Sequence, residues 1–354
     1  MKCARTLVAA MLLCLCGCAT PTRLIPAITR VVPSDTGIPN SVAALGNFEF
    51  VSIQGTGEIF TYNIAGGLQV LAAPPYTTPC KDPSGMVLTT IADNTVMAVV
   101  CYDTASLLTL AVHPDGSLSP LGSVAGLAQP YPGIVLDGTD VFVPLFGTSA
   151  VANGAVARVS IAAPAQPVIT GVTSVASPAP GLYVDPSYLA IAGHSIYIVA
   201  GSESLPQDES STIQVLDKST MTLTGSPLLL AHSPQQIAVQ GTEAFVTLYD
   251  ASQVESIDVS DPANLRVLEI APLASANASC HALALALSGQ LAYVGCYEEA
   301  IVEEVDISNP SGLRLTQIIP GIAFPQRILP TASSLLVPSS LPGGNVYQVR
   351  ANAP

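Results

Sequence analysis

Seven times along this chain of 354 residues a short apolar run stops at a turn dipeptide and then resumes. The dipeptides are Gly46-Asn47, Asp93-Asn94, Asp137-Gly138, Ala192-Gly193, Gln240-Gly241, Ser288-Gly289 and Ala332-Ser333, spaced 44 to 55 residues apart. Gly, Asn and Asp tolerate the positive φ that tight hairpin turns demand. The runs that follow are 48–53, 96–101, 141–146, 196–200, 244–249, 291–296 and 335–338. Each repeat therefore reads as a two-stranded hairpin. A beat of this length marks an architecture of repeated supersecondary units, each too small to bury its apolar face alone.

A third strand follows each hairpin. The clearest copies are Val254-Glu255-Ser256-Ile257-Asp258-Val259-Ser260-Asp261-Pro262 and Val302-Glu303-Glu304-Val305-Asp306-Ile307-Ser308-Asn309-Pro310, with 157–164 as a third and weaker copies at 59–64, 107–112, 212–216 and 346–349. The Asp-Pro or Asn-Pro ending breaks the strand and starts a turn. A fourth strand is expected at 68–72, 118–124, 167–172, 226–230, 265–270 and 313–319, but the seventh unit has none. The spare strand, Leu24 to Val32, lies at the other end of the chain. Pairing it with the last unit gives seven four-stranded blades. The expectation is an all-β, seven-bladed β-propeller over residues 23–354, closed by an N-terminal strand, a geometry that leaves only short, protected edges. Apolar runs without strict alternation fit inner strands buried on both faces.

The segment Ala244-Phe245-Val246-Thr247-Leu248-Tyr249-Asp250 with Val254 to Val259 resembles the YVTN repeat. The Asp-Val-Ser-Asp-Pro and Asp-Ile-Ser-Asn-Pro segments resemble the LVIVP repeat. The likeness is good in the fifth and sixth units and thin elsewhere. It implies a propeller and no single activity.

Before the repeats come Lys2 and Arg5, an uncharged apolar run from Leu7 to Cys16, and Leu15-Cys16-Gly17-Cys18. A positive start, an apolar stretch and small residues make a secretory signal. The run is about half the ~20 residues a helix needs to span a bilayer. Leu-Cys-Gly-Cys resembles the lipobox of bacterial lipoproteins. That resemblance implies a signal peptide at 1–17, acylation of Cys18, a tether at 18–22, and a place in the bacterial cell envelope. Ala19 in place of Asp favours the outer membrane by the same analogy. The alternative is ordinary signal cleavage with Cys18 as a spare thiol.

The formal charge of −14 becomes −16 once Lys2 and Arg5 are removed. So acidic a surface disfavours nucleic acid, and there is no Walker loop, dinucleotide fingerprint or zinc-type cysteine pair. Four cysteines remain beyond the anchor, an even number suited to an oxidising compartment. Cys80 and Cys280 each precede a first strand, and Cys101 and Cys296 each end a second. Antiparallel pairing brings those ends together, so Cys80–Cys101 and Cys280–Cys296 are expected as disulfides.

Propeller loops emerge on two faces. First-to-second and third-to-fourth turns share one, which holds His113 and His194. The other two loop types share the opposite face, with His232 and His281 in neighbouring units. Lys81, Asp82, Asp185, His232, His281 and Arg327 form a candidate ligand site at the channel mouth on that face. The pairs Glu298-Glu299 and Glu303-Glu304 read as solvated edges. The insertion Gly201 to Ser210 is polar and acidic, and is a candidate contact for an envelope protein partner. No Gly-X-Ser-X-Gly elbow is present, and no cofactor is expected. The main expectation is thus a lipid-anchored binding scaffold for protein partners rather than an enzyme. Related seven-bladed repeats occur in lactonase-like and other hydrolytic enzymes, which keeps that activity as the alternative. A metal or small-molecule carrier is the third.

Overall fold

The structure, a computed structural model, describes residues 24–27, 37–64, 69–70, 74–147, 153–178, 183–201, 211–273, 280–332 and 334–351. Cys18, the signal and the tether lie outside these, as do residues 202–210 of the long insertion.

The described residues build seven antiparallel sheets, each a blade of a closed ring. Strands are counted outward from the channel. Blade 1 comprises Ile38–Leu45, Phe48–Gln54, Glu58–Asn63 and Gln69–Val70, with Tyr76–Thr77 added on its third strand. Blade 2 comprises Pro83–Ile91, Asn94–Cys101, Ser106–Val112 and Leu118–Ala125. Blade 3 comprises Val135–Asp137, Asp140–Leu145, Ala155–Ser160 and Val168–Ser174. Blade 4 comprises Asp185–Ala192, Ser195–Gly201, Thr212–Asp217 and Thr222–Leu229. Blade 5 comprises Pro234–Gln240, Glu243–Leu248, Gln253–Asp258 and Arg266–Pro272. Blade 6 comprises Ala282–Ser288, Leu291–Cys296, Ile301–Asp306 and Arg314–Pro320.

Blade 7 draws on both ends of the chain. Leu329–Pro330, Ser334–Pro338 and Val346–Ala351 are its first three strands, and Leu24–Ala27 is its fourth. Leu24 lies opposite Ala351 and Ala27 opposite Gln348. The expected closure is present. The paired stretch is four residues rather than the nine of 24–32, and 28–32 lie outside the described residues.

Seven apolar clusters fill the seams between neighbouring blades. This placement explains why second and third strands read as near-continuous apolar runs: both of their faces are covered. It also corrects one reading. Glu303 and Glu304 are not a solvated edge; both are buried, and Thr316 Oγ1 donates to Glu304 Oε1 at 2.6 Å. A third strand of a propeller blade has no wet face, so alternation cannot be inferred there.

Short turns join the first and second strands. Blade 4 turns at Gly193 with φ +57°, whereas blade 2 places Ala92 and Asp93 there at φ +46° and +67°. On the same face the Asp-X-Ser segment caps itself. Asp258 Oδ1 accepts from Ser260 N at 2.9 Å, and Asp306 Oδ1 from Ser308 N at 2.9 Å. Arg266 and Arg314 then pair with those carboxylates from eight residues on. The most regular motif of the sequence is therefore turn chemistry.

Both expected disulfides form, Cys80–Cys101 and Cys280–Cys296, closing loops of 21 and 16 residues within one blade each. In the chain-entropy model loops of this size contribute ~3 kcal/mol apiece. Replacing Cys280 and Cys296 together by serine is expected to lower unfolding stability by about that amount, read as a shift in the urea midpoint; reductant, which also opens Cys80–Cys101, is expected to shift the parent about twice as far.

The seam between blades 7 and 1 contains a polar flaw. Glu49 is fully buried beside Val51 and Ile53 and faces Tyr62 across the strand pair. Among the described residues neither carboxyl oxygen of Glu49 has a hydrogen-bond partner, nor does the Tyr62 hydroxyl. Burial pushes the Glu49 carboxyl up to about 8. A raised acid favours the fold when neutral, so its stability is full below the unfolded value near 4.5 and is lost as pH rises toward about 8. The variant Glu49→Gln is expected to flatten that decline and to exceed the parent by roughly 3 kcal/mol at pH 7, measured by urea unfolding between pH 4 and 8.

Candidate functional site at the channel mouth

Every blade begins its first strand in one way. Pro39, Pro83, Pro130, Pro186, Pro234 and Pro325 stand opposite the end of the second strand, at Ile53, Cys101, Leu145, Ala200, Leu248 and Ser339; Ala282 takes the place in blade 6, opposite Cys296. Proline suits the first position of a strand, where its missing N–H breaks no ladder. In blades 1, 2, 4, 5 and 6 the register slips just after this residue. Such a bulge re-aims the next side chains.

Two residues past the proline stand Tyr188 in blade 4, Gln236 in blade 5 and Arg327 in blade 7. These three meet. The Arg327 guanidinium carbon lies 4.5 Å from the centroid of the Tyr188 ring. Blades 4 and 7 are not neighbours, so the contact crosses the channel. A cation over an aromatic face is attracted by the ring quadrupole. Gln236 Nε2 donates to Gln326 O at 3.0 Å, and Gln236 Oε1 accepts from Leu285 N at 3.0 Å, tying blades 5, 6 and 7. Gln236 N donates to Thr247 Oγ1 at 3.1 Å, which fixes the bulge. Burial raises the Tyr188 phenol above its ordinary range; the Arg327 charge and hydrogen bonds from Gln236 and Arg327 oppose that rise. Gly133 seats the tyrosine from blade 3: its carbonyl accepts from Leu189 N at 3.1 Å, and a Cβ there would fall 2.2 Å from Ser187 O. Arg327 Nε and Nη2 are shielded from water and make no hydrogen bond among the described residues. They are the adjacent donors of the guanidinium fork that grips two oxygens at once.

The rim of the mouth carries two histidine–carboxylate pairs. His232 Nδ1 lies 3.2 Å from Asp250 Oδ2, and Asp250 Oδ1 accepts from Ser233 N at 2.8 Å. His281 Nδ1 lies 3.2 Å from Glu298 Oε2, an ion-pair distance without hydrogen-bond alignment. The His281 ring packs against Tyr249 at 4.6 Å between centroids, and in the next blade Phe324 meets Tyr297 edge-on at 5.1 Å. His281 and Phe324 both adopt φ +47°, and Gln129 of blade 3 adopts φ +45°. All three directly precede the residue that pairs with the end of the second strand. Their carbonyls accept from Tyr297 N, Ser340 N and Phe146 N at 3.2, 3.1 and 3.1 Å. Left-handed backbone at non-glycine residues costs free energy and gathers at functional sites.

Of the six residues singled out by sequence, Arg327 alone reaches across the channel. Lys81 and Asp82 give their backbone N–H groups to the Asp103 carboxylate at 3.0 and 3.2 Å. Burial and the neighbouring Asp103 raise the Asp82 carboxyl, against a hydrogen bond from Gln54. Asp185 Oδ1 accepts from Gly147 N at 2.6 Å. Thus Asp103 and Asp250 cap loops as well as line the mouth. The sequence pattern alone does not single out Tyr188 and Gln236; the signal that locates them is the proline recurring every 44 to 56 residues through blades 1 to 5. Among the described residues no group of three His, Cys, Asp or Glu side chains is placed to hold a metal ion.

The molecule is by its fold a seven-bladed β-propeller. A family model for the LVIVD repeat matches residues 280–319, which is blade 6. No curated protein matches the chain. It is similar in structure to virginiamycin B lyase from Staphylococcus aureus, with 13% identity, a TM-score of 0.65, and 93% of this chain and 99% of that chain covered. Kuenenia stuttgartiensis hydrazine synthase gives 13% identity, a TM-score of 0.70, and coverage of 92% and 99%. A periplasmic gluconolactonase of Pseudomonas aeruginosa gives 17%, 0.65, and coverage of 90% and 99%. These matches correct the expectation of a scaffold that is not an enzyme: the similar chains are a lyase, a synthase and a lactonase. At such identities the likeness itself establishes the fold, and the chemistry must come from the residues.

Two substitutions separate holding the ring from serving the site. Gln236→Ala strands the buried Leu285 N–H and Gln326 carbonyl and is expected to cost ~2 kcal/mol of stability. Arg327→Met removes a cation that no acidic side chain pairs with among the described residues, and is expected to be neutral or stabilising by up to ~1 kcal/mol. Urea unfolding of both variants reads the difference.

Proposed function

We propose that the ring is an enzyme of the lactonase-like or other hydrolytic kind, anchored in the bacterial envelope through acylated Cys18 and working at the channel mouth. The observation that carries this reading is the meeting of Tyr188, Gln236 and Arg327 from three blades within the channel, with histidine–carboxylate pairs on the same face. Polar groups held in place by a rigid ring cost little reorganisation during reaction.

The residues suit the opening of a cyclic ester. Water adds to the carbonyl carbon, the ring C–O bond breaks, and the ring oxygen leaves as a hydroxyl, giving a hydroxy acid. His232, oriented by Asp250, takes the proton from water and returns it to the leaving oxygen. The Arg327 fork and the Tyr188 hydroxyl are the donors suited to the negative oxygen that forms meanwhile. His281 and its partner Glu298 offer a second acid–base pair on the adjoining blade.

The test is hydrolysis of a set of γ- and δ-lactones followed in a pH-stat. Turnover above buffer is expected, with His232→Ala losing ~10²-fold or more in kcat and Arg327→Lys losing rate while melting like the parent. A folded protein that hydrolyses none of these lactones would overturn the reading.

A further inference from the structure

We propose that the anchored ring is held with its turn face toward the bilayer and its mouth away from it, so that the site takes a water-soluble substrate. The inference rests on the anchoring of Cys18 proposed above and adds a direction to it. Third strands of the blades run from the mouth face to the turn face, as the positions of Ser340 and Ala351 show in blade 7: Ser340 N donates to Phe324 O at the mouth, and the strand then runs from Val346 to Ala351. The closing strand is antiparallel to it, with Leu24 beside Ala351 and Ala27 beside Gln348. Leu24, the described residue nearest Cys18 in sequence, thus lies at the turn face, at the outer edge of blade 7.

Length decides the rest. Six Cα steps separate Cys18 from Leu24, which reach at most ~22 Å. Turning the mouth to the membrane would require the tether to climb the outer edge first. The six-residue strand Val346–Ala351 alone accounts for ~17 Å of that climb. The loops that carry His232, His281 and Phe324 rise beyond its end. What remains of the tether cannot span them and still leave Cys18 at the lipid surface. With the mouth away, the same tether need span only the gap beneath the ring. The turn face carries Asp93, Asp137, Asp217, Asp258, Asp261 and Asp306, of which Asp137, Asp258 and Asp306 are paired with Lys218, Arg266 and Arg314 on the same face. Acids outnumber cations among these residues, so the face offers no basic patch with which to adhere to anionic headgroups, and the tether sets the distance. Acyl substrates sliding in from the bilayer would meet the turn face; solutes in the aqueous compartment would meet the mouth.

Fluorescence transfer tests the direction. Cys80, Cys101, Cys280 and Cys296 are consumed in disulfides, so an added cysteine labels cleanly in the acylated protein. Asn94→Cys marks the turn face and Thr104→Cys the mouth face of blade 2; both positions are exposed. The chain is extracted from envelope membranes, reconstituted into phosphatidylethanolamine–phosphatidylglycerol vesicles, and paired with a headgroup acceptor. Transfer from residue 94 is expected to exceed that from residue 104 by about twofold or more for probes a strand length apart. Equal transfer, or stronger transfer from residue 104, would overturn the orientation. Failure of the extracted chain to float with vesicles would overturn the anchor and the orientation together. Lactone turnover by the Cys18→Ser protein reads the enzymatic proposal independently of either.

Discussion

Four backbone pairs between Leu24–Ala27 and Val346–Ala351 hold the ring shut. Blades 1 to 6 are each contiguous in sequence and could form locally. Blade 7 exists only when both ends of the chain arrive. Without the closing strand the Val346–Ala351 edge would be left unpaired, the kind of edge that recruits foreign strands. Closure also fixes the distance across the channel, and the contact between Arg327 and Tyr188 depends on that distance. The seam next to the joint, between blades 7 and 1, is where Glu49 and Tyr62 are buried without hydrogen-bond partners among the described residues. The ring holds such a flaw in place because the joint cannot open without breaking the sheet of blade 7.

The fold was legible because its information is local and repeated. Each hairpin turn, each Asp-X-Ser cap and each apolar run lies within about fifty residues, and the count of strands closes only if the N-terminal strand completes the last blade. The disulfides followed from the same register. The reading failed at Glu303 and Glu304 because it assigned a wet face to a strand that has none. Charge on a third strand is a poor guide to exposure: Glu304 lies against Thr316 from the adjoining strand, and blade packing covers both sides.

The site was less legible, for a physical reason. Tyr188, Gln236 and Arg327 are separated by 48 and 91 residues, and two of them come from blades that do not touch. No periodicity brings such residues together; only the circular topology does. The proline that stands opposite the second strand's end in six of the seven blades marks the ring of positions, but which of those positions carries a long polar side chain is not periodic at all: Ser41, Gly85, Pro132 and Ala284 occupy the same place in the other blades. The histidines were found on the right face because loop type follows from strand order. Their partners were missed because Asp250 and Glu298 read as ordinary loop residues until the second strand's end is seen beside the next loop's start.

The economy of charge argues that the channel is more than a structural plug. The sequence holds 25 acidic and 11 basic residues, so an arginine seeking a partner has an abundance of them. Lys218, Arg266 and Arg314 all found one, on the turn face. Arg327 instead lies over a tyrosine ring with two donors unused. Desolvating a guanidinium without a carboxylate is costly, and a methionine or leucine would fill the space without that penalty. A ring under selection for stability alone would not retain it. A ring that must offer paired donors to an oxygen arriving from outside would keep that arginine and hold it in place with Gln236 and Tyr188, as the structure does.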